Sequence, residues 1–226
     1  MKHLLFAFPP LAMVMGMIVG RSKTFSDKNL ASINYLISGV LFAFLATAFK
    51  PLLRSSAPHK FYILLGTLIT MSLLITLTMI DNEKNQGHIN TISIIDTFMT
   101  GYVRGISADI LSGTKNWIFA LSISFNTFFG AIATGEHMGR NGETMSSVIK
   151  KATLLGCDMI VGELAGIYMI KNHPKTPLFY SLFSASLGML IWSLSSGLNS
   201  QKHYSPTNAL LLYTGFTMIM MSIWYI

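Results

Sequence analysis

Charge is scarce in this chain. Asp, Glu, Lys and Arg together make up 11% of its 226 residues, less than half of the roughly 25% typical of a soluble domain. With 51% hydrophobic residues and a mean hydropathy of +0.53, there is too little polar surface to cover a water-facing globule. The same apolar excess excludes a disordered chain. Cysteine is nearly absent: Cys157 stands alone, so intrachain disulfides, zinc ribbons and iron–sulfur sets are excluded. A Gly-rich phosphate loop and a plausible Ser–His–Asp arrangement are also missing, which argues against an enzyme. The formal charge of +7 comes from Lys and Arg in short segments between apolar runs. There the natural partner is an anionic lipid headgroup and not nucleic acid.

What the chain does have is a series of apolar runs near 20 residues long, about the length a helix needs to cross hydrocarbon. Eight spans are predicted, over 4–20, 30–49, 61–80, 91–113, 117–135, 152–170, 178–198 and 208–226, forming one transmembrane domain. In hydrocarbon the backbone must satisfy its own hydrogen bonds, so a helical bundle follows. The alternating ten-residue strands of an outer-membrane barrel are absent. The first run resembles a secretory signal, but it continues into Arg21-Ser22-Lys23 without a small-x-small cleavage site and is read as a retained span. The longest expected connection is 136–151, of 16 residues, and Ser112 to Trp117 predicts a tight antiparallel hairpin of spans four and five. Lys and Arg outside the spans number seven on the N-terminal side and eight on the other, which places both termini outside by a margin of one. The expectation is an all-α, multi-pass protein of the plasma or inner membrane.

An ionisable group at the bilayer centre costs on the order of 3 kcal/mol, so each one calls for an explanation. Span four carries Asp96, Arg104 and Asp109; span six carries Asp158 and Glu163; span five carries Asn126. Asp109 lies near a span end and reads as a solvated boundary residue. Asp96, Thr100 and Arg104 recur every four residues and stack on one helix face. Gly101 and Gly105, like Gly162 and Gly166, form small-xxx-small pairs that permit close packing. Asn126, Gly130 and Thr134 share a face of span five. These spacings predict a central set of spans four, five and six with a polar interior. Its carboxylate, amide and hydroxyl oxygens suit a hard or borderline divalent cation. All six histidines (His3, His59, His88, His137, His173 and His203) fall outside the spans, so an embedded imidazole site is excluded. The structural alternative is that Arg104 pairs with Asp158, Glu163 or Asp96 and fixes the packing.

Several of these segments resemble, in order, the ZIP family of divalent-metal transporters. Gly39-Val40 through Leu45-Ala46-Thr47-Ala48-Phe49 to Pro51 is similar to that family's Gly-Val-Phe-Leu-Ala-Thr-Ala stretch and its following Leu-Leu-Pro. Asp96-Thr97-Phe98-Met99-Thr100-Gly101 with Gly105 resembles His-Asn-Phe-x-Asp-Gly-x-x-x-Gly. Phe125-Asn126-Thr127-Phe128-Phe129-Gly130 occupies the place of His-Glu-x-Pro-Glu-Gly, and Glu163-Leu164-Ala165-Gly166 resembles Glu-Pro-x-Gly. Gly188 and Gly215 match packing glycines. The resemblance implies eight helices with both ends on one side. It also implies a metal site of Asp96, Thr97, Thr100, Asn126 and Glu163, with Arg104 and Asp158 tuning or locking it. The glycine frame is kept better than the ligands: Phe125 and Phe129 stand at metal-binding positions of the family.

The reading is a divalent-cation transporter (zinc, manganese or iron(II)) with a midplane site, no permanently bound cofactor, and the bilayer and a second copy of the chain as partners. Two alternatives remain. One is a small manganese-exporter-like transporter, suggested by Asp96-x-Phe98 with Arg104-Gly105. The other is a non-transporting ZIP-like scaffold or regulatory partner protein, suggested by Phe125, Phe129 and Arg104.

Overall fold

A computed structural model describes residues 6–22, 27–48, 61–63, 65–66, 68–70, 72, 91–111, 113–174, 176–199, 210–215 and 217. Of the residues named above, His3, His59, His88, His203, Phe49, Pro51, Lys23 and Ser112 lie outside these, as do parts of the spans expected over 61–80 and 208–226. The described chain is all-helical, without strands. Six helices are α1 (Phe8–Ser22), α2 (Asp27–Ala48), α3 (Thr91–Ile110), α4 (Gly113–Arg140), α5 (Met145–Asn172) and α6 (Pro177–Asn199). Two further runs, 61–72 and 210–217, are helical at every described position. Both α4 and α5 are long and apolar enough to cross a membrane.

The polar stretch 136–151, expected as a loop, is mostly helix. Glu136 and Arg140 pair across one turn at 2.6 Å, Met138 is buried, and so α4 continues to Arg140. It ends in a reversal at Gly142, whose φ of +77° is open to glycine without steric cost. The Gly142 N–H donates to Gly139 O and the Glu143 N–H to Met138 O, the paired bonds of a Schellman motif. Thr144 then caps α5, its hydroxyl accepting from Ser147 N at 3.3 Å. The Glu143 carboxylate accepts from Lys151 Nζ at 2.7 Å and Ser147 Oγ at 2.9 Å, and its backbone O accepts from Arg21 Nε at 3.0 Å. The whole connection is thus four residues, 141–144, tied to the end of α1.

Sequence neighbours are not the closest spatial neighbours. α4 packs chiefly on α1, α3 on α5, and α1 also contacts α5. α3 and α2 join these to α6, and α2 returns to α4, so the helices close a ring in the order α1, α5, α3, α6, α2, α4. The hairpin expected of spans four and five is therefore replaced: α3 and α4 share few contacts, and α1 stands between α4 and α5. The expected trio of spans four, five and six becomes a group of four that includes α1. The reason is glycine. A Cβ at Gly16 would meet the Phe128 carbonyl oxygen and one at Gly20 that of Ile132, while one at Gly135 would meet Met17 O. Only bare backbone lets α1 and α4 come so close.

Helix direction follows from the same contacts. Gly16 against Phe128 and Gly20 against Ile132 rise together, so α1 and α4 are parallel. Gly162 against Phe98 and Gly166 against Tyr102 make α3 and α5 parallel. Arg21 bonds Glu143 while Pro10 adjoins Gly156, so α1 and α5 are antiparallel. Two apolar cores result. One gathers Val103, Ile106, Phe119, Phe179 and Phe183 with Leu41; the other packs Met13, Met17, Met138 and Met159 against Ala131 and Ala152. Some of the methionines that look scattered along the chain thus converge, as adaptable packing residues.

Candidate polar site between the third and fifth helices

The α3–α5 seam carries its polar groups on two levels. At the first, Thr97 Oγ1 donates to Asp158 Oδ2 at 2.6 Å, joining the two helices. Thr97 and Thr100 are buried, and Asp96 and Asp158 are half-buried. A hydroxyl bond to a carboxylate is of the strong, charge-assisted kind. We expect Thr97→Val to destabilise the protein by about 1.5 kcal/mol, since the carboxylate loses its donor without moving to water. Unfolding in denaturant checks this; a change under about 0.5 kcal/mol would show that the bond contributes nothing net.

The second level lies further along both helices. Arg104 is 1% and Glu163 2% exposed, and Arg104 Nε stands 4.0 Å from Glu163 Oε1. A charge-assisted N–H···O bond is about 2.7–2.9 Å long, so this is an ion pair without a hydrogen bond. Arg104 is held from the other side: Nη1 donates to Asn116 Oδ1 at 3.1 Å and to Ser107 Oγ at 3.4 Å. The Phe6 ring lies 5.4 Å from its Cζ, a cation–π distance. Arg104 Nε and Nη2, Glu163 Oε1 and the Tyr102 hydroxyl are buried without hydrogen-bond partners among the described residues. Beside them is a cavity of about 630 Å³, bordered by Phe6, Ala108, Asp109, Glu163, Ile167 and Lys171.

Of the residues singled out in the sequence, the fold thus joins Thr97 to Asp158 and Arg104 to Glu163, while Asp96 and Thr100 lie on α3 away from the Gly101–Gly105 face that packs on α5. Asn126 is elsewhere. It lies on the α4 face shared with Gly130 and Thr134, both exposed, and a Cβ at Gly130 would meet no atom within 4 Å. α4 turns its close-packing glycine face to α1, which carries Asn126 away from the α3–α5 seam. Among the described residues no three His, Cys, Asp or Glu side chains group as a metal site. Ligands on either level would be one or two carboxylates completed by hydroxyls or water, a set for a hard cation.

Comparison of the chain with protein-family models, curated proteins and solved structures finds no match. The site's chemistry therefore rests on its own residues. Asn116, Ser107 and Phe6 are neighbours of Arg104 that the sequence did not reveal. Asn116 lies in the short stretch read as a loop, whereas α4 already begins at Gly113 and brings its amide to Arg104. Ser107 had a signal, being three residues beyond Arg104 on the same helical face.

Proposed function

We propose that the protein is a multi-pass membrane transporter of divalent cations, its eight helices crossing the bilayer with both termini on one side. The observation that carries this reading is Glu163: a buried carboxylate with an orphan oxygen, at the wall of a cavity, inside an apolar bundle. Embedded carboxylates of this kind mark ion paths. The opposed directions of α3, α4 and α5 and the large exposed apolar side chains of α5, such as Leu154, Val161 and Tyr168, support a bilayer setting. The resemblance to the ZIP family supports the class of cargo. The cation would pass between Glu163 and the Thr97–Asp158 level by alternating exposure, with Asp96 and Thr100 on α3 as further oxygen donors, without ATP hydrolysis. In proteoliposomes loaded with a metal-sensitive dye, we expect zinc, manganese or iron(II) uptake to fall at least about tenfold in Glu163→Ala and in Asp96→Ala. Unchanged flux in both variants would sink this reading.

One observation favours a second reading, a non-transporting scaffold. Arg104 already supplies a cation 4.0 Å from Glu163, anchored by Asn116 and Ser107. If the guanidinium is a permanent substitute for cargo, the purified protein binds none of the three metals in calorimetry. Wild-type binding that is lost in Glu163→Ala would favour transport.

A further inference from the structure

We infer that the cavity beside Glu163 is a water-filled vestibule, open on the face of the membrane where α3 and α5 end, with Asp109 at its mouth as the group that recruits cations. The inference uses the membrane setting proposed above but not the identity of the cargo.

Position comes first. α3 and α5 are parallel and α1 runs against α5, so the C-terminal turns of α3 and α5 and the N-terminal end of α1 lie at one end of the bundle. The cavity is built from those three ends: Ala108 and Asp109 of α3, Glu163, Ile167 and Lys171 of α5, and Phe6 just before α1. Along α5 it runs from Ile160 to Lys171, eleven residues or about 16 Å at helical rise. It thus links a side chain buried to 2% with two exposed charged ones at the helix ends, Asp109 and Lys171.

Its contents follow from its lining. Three charged side chains border it, Glu163 at its inner part and Asp109 and Lys171 at the helix ends. Hydrocarbon against such groups is strongly unfavourable, whereas water can donate to the carboxylates and accept from the ammonium. A volume of about 630 Å³ is ample: a water's share of liquid volume is roughly 30 Å³. An acyl chain fits the apolar walls at Ile160, Leu164 and Ile167, but it would press hydrocarbon against all three charged side chains.

Asp109 then acquires a role. It is exposed at the end of α3 and borders the same cavity. A carboxylate at the mouth and a second at the floor form a two-step path for a cation, with Lys171 opposite the first. A carboxylate at the mouth of a low-dielectric cleft raises the local cation concentration, an effect that fades with salt.

The test is thiol accessibility in the full-length protein with Cys157→Ser, reconstituted in vesicles and carrying an N-terminal tag that reports sidedness. Single cysteines are placed at Ala108, Ile167 and Asp109, with Val161 and Tyr168 as controls, both of them exposed on α5 but away from the cavity. A charged, membrane-impermeant thiosulfonate should label Ala108→Cys and Ile167→Cys at least tenfold faster than Val161→Cys and Tyr168→Cys, and only from the face that bears the tag. Labelling of both cavity positions at the control rate, with Asp109→Cys still reactive, would mean that lipid fills the space and would overturn the vestibule. Equal labelling from both faces would overturn its one-sided opening. A cationic reagent should react with Asp109→Cys more slowly than with Ala108→Cys relative to an anionic one, since the recruiting charge is then lost; equal ratios would overturn the role of Asp109. Protection of Ile167→Cys by manganese or zinc bears separately on the transport reading: fast labelling without protection keeps the vestibule and removes the cargo.

Discussion

Gly162→Leu should unfold most of the molecule's central seam. A Cβ at this position would meet the carbonyl oxygen of Phe98, and the neighbouring Tyr102 N is 3.1 Å away. Those are backbone atoms of α3, so no side chain can rotate out of the way. Overpacking a close-fitted interior costs about 1–3 kcal/mol and more where the backbone itself must move; we expect at least about 3 kcal/mol here. Gly130→Leu is the matched control. Its Cβ would meet nothing within 4 Å and its helix propensity improves, so its stability should stay within about 0.5 kcal/mol of the parent. Unfolding of the purified protein in mixed micelles, followed by far-ultraviolet circular dichroism, measures both. Equal effects at the two sites would mean that α3 and α5 do not touch through their glycines.

The second large effect belongs to the buried ion pair. Arg104→Met removes the guanidinium and leaves Glu163 as a lone charge exposed to 2%. Breaking one partner of a buried pair typically costs about 3–5 kcal/mol, and the low end applies because Glu163 borders a cavity on one flank. The double variant Arg104→Met, Glu163→Met should recover to within about 1 kcal/mol of the parent, since apolar residues of similar volume often replace a buried pair at no net cost. A double-mutant cycle in denaturant gives the coupling directly. If the single variant costs less than about 1 kcal/mol, Glu163 does not carry a buried charge. The same proteins carry a functional readout: under the transport reading Arg104→Met changes metal affinity, whereas under the scaffold reading it creates binding where none existed.

How far the sequence could be read depends on which physical signal each feature leaves in one dimension. Apolar runs near 20 residues report helices directly, because length and composition are local. The seam between α3 and α5 was also legible: Gly101, Gly105, Gly162 and Gly166 are spaced to bare one face of each helix, and the embedded polar residues fall on those same two helices. Thr97 with Asp158 and Arg104 with Glu163 are the pairs that the fold joins, a division into two levels that depends on axial register and leaves no mark in one dimension. Helix ends misled where charge suggested loop. Glu136 and Arg140 look like solvated loop residues but satisfy one another within a turn, and Met138 between them is buried. Partner choice was the least legible. Apolar helix faces of similar composition fit many neighbours, and proximity in sequence wrongly favoured pairing spans four and five. Asn126 was misplaced for that reason, and Asn116 was missed because it had been assigned to a connection.

The placement of α1 between α4 and α5 has a consequence for biosynthesis. α1 leaves the ribosome first, yet its partners begin at Gly113 and Met145, more than ninety residues later. Gly16 and Gly20 pack on α4, which is made only after that interval. Under the membrane reading, span insertion and the pairing of α1 with α4 are therefore separate events, as in a two-stage assembly. A nascent chain halted before Gly113 exposes a helix whose proper contacts do not yet exist. A lesion in α4 or α5 would therefore leave α1 without its partners.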